Sequence, residues 1–195
     1  MSRRVVDLTI DNLGDVSAAC RGCHHWSNAG KDKDEWLEHT LREWGACGQL
    51  LYVDGVAAGH VLYAPPAYVP RADGFATSPV SPDAILLVAG QLATPYRGAG
   101  LGKMLIQGMA RDIAQRGFRA IEAFGVTNPG GALHGQAQCL LPSHFLEAVG
   151  FVVVRPHSST PRLRLDIKTT LAWRADVETA IDRLFAPRRA PAPAH

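Results

Sequence analysis

Leu92-Ala93-Thr94-Pro95-Tyr96-Arg97-Gly98-Ala99-Gly100-Leu101-Gly102-Lys103 is the stretch on which the fold turns. The apolar run that leads into it, Ala84–Ala93, reads as a buried strand. After it, Leu101, Met104, Leu105, Met109 and Ile113 recur at helical spacing, and Gly117 is a suitable stop. A glycine-rich segment between strand and helix leaves successive backbone N–H groups unpaired where the helix dipole places partial positive charge. Such a turn binds anions. Gly98, Gly100 and Gly102 let the chain turn tightly and admit an anion close to the backbone, while Arg97 and Lys103 add charge at the rim.

Two phosphate-binding motifs fail on detail. A P-loop needs Ser or Thr after Gly-Lys, and Gly102-Lys103 is followed by Met104. A dinucleotide fingerprint needs a third glycine where Lys103 stands.

Upstream, Gln49–Val53 and Val56–Ala64 are strand-like runs separated by Asp54-Gly55, which predicts an antiparallel hairpin. Val5–Ile10 reads as an earlier extended segment, and Trp36, Leu37, Thr40, Leu41 and Trp44 fall at helical spacing within residues 33–44. The proline-rich stretch Pro65–Asp83 can continue neither strand nor helix, so a long surface loop bordering a substrate site is expected. Downstream, Arg119–Val126 reads as a strand, followed by a Gly- and Asn-rich loop to about Gln138 and a short helix near Pro142–Val149. A strand from Phe151, a half-exposed strand Arg162–Trp173 and a final helix Ala175–Phe185 complete the order. Residues 1–185 form one expected domain, and the Ala-, Pro- and Arg-rich tail 186–195 is expected to be disordered.

Composition narrows the function. A chain of 195 residues, 47% hydrophobic and 19% charged, is long enough to bury one sizeable core. A net charge of +2, evenly spread, gives no basic stripe for nucleic acid. No apolar run approaches the roughly 18–20 residues that span a bilayer, and no signal-like segment follows the first charges, so a cytoplasmic protein without a membrane partner is expected. There Cys20, Cys23, Cys47 and Cys139 should remain thiols. Whether the chain is a monomer or a homodimer is left open.

Residues 92–102 strongly resemble the acyl-CoA loop of the GNAT N-acetyltransferase superfamily, in which a strand leads into Arg-x-x-Gly-x-Gly. Phe145-Leu146-Glu147-Ala148-Val149-Gly150-Phe151 resembles that family's helix ending in Gly-Phe, and the resemblance covers about residues 4–173. It implies an α/β (α+β) single domain with a mixed, mostly antiparallel sheet of about six to seven strands flanked by helices. It further implies an N-acetyltransferase, with acetyl-CoA as cosubstrate and a primary amine of a small molecule or protein as acceptor, attacking the thioester directly without a metal. By the same resemblance, backbone groups of Leu92 and Ala93 would pair with the pantetheine arm. Amides of Arg97, Gly98, Ala99, Gly100, Leu101, Gly102 and Lys103 would hold the pyrophosphate.

One position departs from the family. Many members carry a tyrosine four residues before the Gly of Gly-Phe to protonate the CoA sulfur, and here Leu146 stands there. Cys139, His144 and Tyr68 are the nearby candidates to replace it, each also readable as a packing or surface residue. Glu122, on the strand after the CoA helix, is a candidate general base if it faces the cleft partly buried, and otherwise a salt-bridged carboxylate. Because amines attack thioesters readily once positioned, orientation alone can carry much of the reaction. The missing tyrosine also keeps a second reading, a non-catalytic acyl-CoA-binding or sensing domain.

Cys20-Arg21-Gly22-Cys23-His24-His25 offers up to four zinc ligands, but adjacent ligands rarely share one tetrahedral ion and no second pair completes the set. No metal site is expected, and a metal- or thiol-dependent regulator is the third reading. Trp26, Trp36 and Trp44 supply either core area or an acceptor pocket for an apolar or cationic group.

Overall fold

Asp54 and Gly55 both adopt positive φ, at 48° and 83°, the backbone of a two-residue hairpin turn. They join β2 (Gly48–Val53) to β3 (Val56–Ala64), the predicted antiparallel pair. The computed structural model describes residues 1–23, 25–26, 33–128 and 139–167. The predicted helix Ala175–Phe185, the tail, His24 and most of the Gly- and Asn-rich loop lie outside the described residues.

β1 (Arg3–Asp7) pairs with β2, and β4 (Ala84–Leu92) with β3, all antiparallel. Beyond them lie β5 (Ala120–Phe124), β6 (Val152–Arg155) and β7 (Arg162–Asp166), giving one seven-stranded sheet in the order β1-β2-β3-β4-β5-β7-β6. Among the described strands only β4 and β5 pair in parallel. This is the mixed, mostly antiparallel sheet that the resemblance implies.

Strand alternation sends side chains to two cores. On one face Leu50, Leu62, Leu86 and Phe124 pack with Trp26, Trp36 and Leu37, beneath α1 (Ala18–Arg21) and α2 (Lys33–Glu43). On the other, Leu51, Tyr63, Ile85, Ile121 and Leu163 pack with α3 (Leu101–Gln115) and with Leu146 of α4 (Ser143–Ala148). The buried stripe of α3 is Leu101, Leu105, Ile106, Met109, Ala110 and Ile113, so Ile106 and Ala110 join the predicted face while Met104 is only half-buried.

A polar chain fixes where α3 lies. Gln49 Nε2 donates to Asp7 Oδ1 at 2.6 Å and to Tyr63 Oη at 3.2 Å, and the Tyr63 hydroxyl donates to Asp112 Oδ2 at 2.7 Å. Arg116 pairs with Asp112 at 3.2 Å, donates to the Ala46 carbonyl at 2.8 Å and lies over the Trp44 ring at 4.3 Å. Gly117, at φ 82°, then ends the helix as predicted.

Two predicted segments differ. Pro65–Asp83 folds into tight 3-10 turns at Pro66–Tyr68 and Pro70–Gly74, burying Val69 and Ala72 against the α2 side. Trp36 Nε1 donates to the Tyr68 carbonyl at 2.7 Å, so the prolines make a packed cover. In β7 the two arginines of the charged side turn inward, and Asp166 alone of that side is exposed. Arg162 and Arg164 both pair with Glu122, which is wholly buried, and Glu122 Oε2 also accepts the Ser81 amide at 3.1 Å. Arg164 reaches Asp83 and Asp166 as well, each at 2.9 Å. Among the described residues no helix is long and apolar enough to cross a membrane.

Removing one partner of a buried ion pair leaves the other charge uncompensated. Glu122→Ala should therefore lower unfolding stability by about 3–5 kcal/mol in urea titration. A loss under about 1 kcal/mol would show that the two arginines are solvated instead.

Candidate functional site

β4 and β5 pair over only three residues, Ala84–Leu86 against Ala120–Glu122. Past that point the register of β4 on β3 shifts, with Leu62 opposite Ala89 but Tyr63 opposite Leu87, so Val88 is the extra residue of a bulge. The strands part. The end of β4 then faces a gap, bordered across it by Val126, which bridges to Pro142, and by Leu141.

Ala93 N donates to the Ala58 carbonyl at 2.9 Å, so alternation along the register turns Ala89, Gln91 and Ala93 toward β3. Gly90 and Leu92 turn their backbone groups into the gap. A side chain at Gly90 would press on Leu141, 3.2 Å from its Cδ1. The resulting cleft has a volume of about 850 Å³ and opens at both faces of the sheet.

At the α3 face it ends on the glycine-rich turn. Gly98 and Gly100 have φ of 81° and 74°, a backbone that residues with a Cβ rarely adopt. Gly102 is glycine for another reason, since a Cβ there would come within 2.9 Å of the Phe145 ring. No side chain caps α3, and among the described residues the amides of Gly98, Ala99, Gly100, Leu101 and Gly102 have no backbone acceptor. These are the unpaired donors of a helix start, and those of Gly98, Gly100, Leu101 and Gly102 belong to residues that line the cleft. Of the predicted cofactor residues, Leu92, Arg97, Gly98, Gly100, Leu101, Gly102 and Lys103 line it, and Ala93 and Ala99 do not. The Ala93 amide is spent on β3, and Gly90 presents its backbone groups to the gap beside Leu92. Arg97 Nε donates to the Leu92 carbonyl at 3.1 Å, tying the turn to the end of β4.

At the opposite face the cleft meets α1. The Ser17 hydroxyl donates to Gln91 Oε1 and accepts from Cys20 N at 3.3 Å, fixing α1 against β4. Cys20, His60, Gln91 and Cys139 line this end. Burial, and more weakly the Arg71 and Lys33 charges for His25 and Lys33 for His60, push both imidazoles down to about 4. The Nε2 atoms of both are buried without a partner among the described residues.

The remaining predicted residues are dispersed. Glu122 lies outside the cleft lining, held by two guanidinium groups and an amide, which is the salt-bridged alternative of its two readings. His144 is exposed on α4 and away from the cleft, and Tyr68 packs beside α2. Leu146 is fully buried in the α3-side core. Cys139 alone of the catalytic candidates reaches the cleft. Trp26 stacks on Phe75 at 5.4 Å, Trp36 and Trp44 pack in the cores, and none lines the cleft. Among the described residues no group of three or more His, Cys, Asp or Glu is placed to hold a metal ion. The pattern carried no sign of Gly90 or His60 as site residues, since the bulge and the folding of α1 under β3 and β4 are tertiary events.

The two histidines make stability depend on pH. Their ordinary value near 6.5 returns on unfolding, so the unfolded chain binds more protons than the folded one between about 6.5 and about 4. Stability should be indifferent to these groups above that window and fall as pH drops through it. Denaturant unfolding at a series of pH values should show a shallower fall in His60→Leu; equal slopes would mean that His60 titrates normally.

No family model matches the chain, and no curated protein does. Solved structures do. The loading GNATL domain of CurA from Lyngbya majuscula aligns with a TM-score of 0.57 over 87% of this chain and 100% of its own, at 15% identity. An N-acetyltransferase from Staphylococcus aureus Mu50 aligns at 0.56, over 86% and 99%, at 13% identity. The PaiA N-acetyltransferase from Thermoplasma acidophilum, solved in complex with coenzyme A, aligns at 0.51, over 85% and 99%, at 15% identity. At such identities the likeness is one of fold, and the chain has the fold of the GNAT N-acetyltransferases.

Proposed function

We propose that this chain is an acetyl-CoA-dependent N-acetyltransferase acting on a primary amine of a small molecule or protein. The observation that carries it is a single cleft joining the uncapped start of α3 to the α1 face through the gap between β4 and β5. The donors present fit coenzyme A. Unpaired amides of residues 98–102 and the flanking Arg97 and Lys103 suit a pyrophosphate. Outward backbone groups of Gly90 and Leu92 suit an amide-bearing pantetheine arm, and Ile106, Leu141 and Phe145 suit its methylene stretches.

When bound, acetyl-CoA supplies an activated acyl group. In the route that the resemblance implies, a neutral amine attacks the thioester carbonyl from the α1 side, and amide and free thiol are the products. With Leu146 in the core and Glu122 immobilised, His60, Cys20 and Cys139 are groups at the α1 end of the cleft, among the described residues, that could exchange a proton. The apolar residue at the usual acid position also favours a second reading, an acyl-CoA-binding domain without turnover, which predicts binding but no thiol release across an amine panel.

Calorimetric titration of acetyl-CoA tests the cofactor site. A Cβ at Gly100 meets nothing within 4 Å, so Gly100→Ala imposes only backbone strain of about 1–2 kcal/mol. Gly100→Glu adds a negative charge in the proposed cradle. The wild type should bind, the alanine variant bind more weakly and the glutamate variant lose binding while still folded. No wild-type binding, or equal binding by the glutamate variant, would contradict the reading.

A further inference from the structure

The cleft has side-chain charge of one sign. Among the described residues that line it there is no aspartate or glutamate, while Arg97 and Lys103 stand at the α3 end. At the α1 end the charge lies one layer back. Lys33, wholly buried, donates from Nζ to Sγ of the cleft-lining Cys139 at 4.0 Å and lies 5.8 Å from the centre of the Trp36 ring. Among the described residues no carboxylate pairs with it, and the adjacent Asp34 pairs with Arg21 at 3.2 Å. A thiol and a ring face are weak substitutes for the water that an ammonium gives up on burial. The folded chain leaves this cation without an anion.

Two neutral donors stand at the same end. His60 alternates with Leu62 and Ala64 on the α1 face of β3 and lies directly opposite Gln91 of β4, so the two side chains are neighbours on the cleft wall. The Ser17 hydroxyl occupies Gln91 Oε1, which leaves the Gln91 NH2 group to donate. His60 is 2% exposed, and its Nε2 is buried without a partner among the described residues. Burial first, and the Lys33 charge second, push the imidazole down to about 4, so at neutral pH it offers one N–H and adds no second cation. A buried ring nitrogen left unpaired at a cleft wall is a place for a ligand atom.

We infer that the acceptor is a small amine bearing a carboxylate, a free amino acid or close analogue, whose carboxylate is seated at the α1 end by His60 and Gln91 with Lys33 as its counter-charge. The inference rests on the proposed function and names the substrate class for it. One buried ammonium balances a monoanion, which favours a carboxylate over a phosphate carrying nearly two charges. A polyamine would bring further cations into a cleft whose described lining has no carboxylate to receive them. The amino terminus of a peptide has its nearest carboxyl group tied up as an amide and brings no anion to Lys33. In a free amino acid the amine lies close enough to the carboxylate that seating the one positions the other.

The test follows CoA release by the full chain from acetyl-CoA, comparing the proteinogenic amino acids with their primary amides and with spermidine. On the wild type, the best acid should exceed its own amide in kcat/KM by about tenfold or more. Lys33→Met keeps the buried volume and removes the charge. It should lower kcat/KM for that acid by about tenfold, through KM, and leave the amide unchanged and acetyl-CoA binding intact in calorimetry. The amide's less basic amine affects both proteins alike, so the change in the ratio reads the charge pairing, and the wild-type comparison stands whether or not the variant folds. Equal losses for acid and amide in Lys33→Met overturn this inference alone. So does a wild type that prefers amides or spermidine, or one that binds acetyl-CoA and releases no CoA with any amino acid. A protein that does not bind acetyl-CoA overturns the proposed function with it.

Discussion

The short parallel contact between β4 and β5 is the constraint from which the site follows. Three residue pairs hold the two halves of the sheet together, and beyond Leu86 the bulge at Val88 turns β4 away. Had the pairing continued, Gly90 and Leu92 would spend their backbone groups on β5, and there would be no passage between the faces of the sheet. Because it stops, the edge of β4 at Gly90 and at the Leu92 amide is left without a backbone partner among the described residues, while the Leu92 carbonyl is taken by Arg97. An unsatisfied edge of this kind is stable only where something else completes it. A ligand with its own amide groups is the natural complement.

Two sets of buried charge stand near this opening and behave differently. Glu122 sits beneath the paired part of β5 with Arg162, Arg164 and the Ser81 amide around it, so every demand of the carboxylate is met by the protein. That cluster ties β4, β5 and β7 where the sheet is about to divide. Lys33 lies on the α1 side with Nζ 4.0 Å from Cys139 Sγ and 5.8 Å from the centre of the Trp36 ring, and among the described residues no carboxylate pairs with it.

The sequence disclosed local features well. The Asp54-Gly55 turn, the apolar face of α3, the Gly117 stop and the glycine turn at 98–100 all depend on neighbours in the chain, and each is found where the pattern puts it. Gly102 was read as part of the anion turn but is required by Phe145, forty-three residues on, which no local pattern encodes. That Gly90 faces the gap while the Ala93 amide bonds β3 was not legible, because register is set between strands. Cys20 and Cys139 were each conspicuous alone. That both line one cleft depends on where α1 packs, and it is a four-residue helix with no periodicity to announce it.

The central claim is that the open edge of β4 receives the pantetheine arm, and amide hydrogen exchange read residue by residue tests it most directly. Adding acetyl-CoA should slow exchange at Leu92 and at Gly90 and the 98–102 turn, while Gln91, already bonded toward β3, stays unchanged. Saturating acetyl-CoA that leaves Gly90, Leu92 and the turn exchanging as before would mean that the gap between β4 and β5 is not where the cofactor lies.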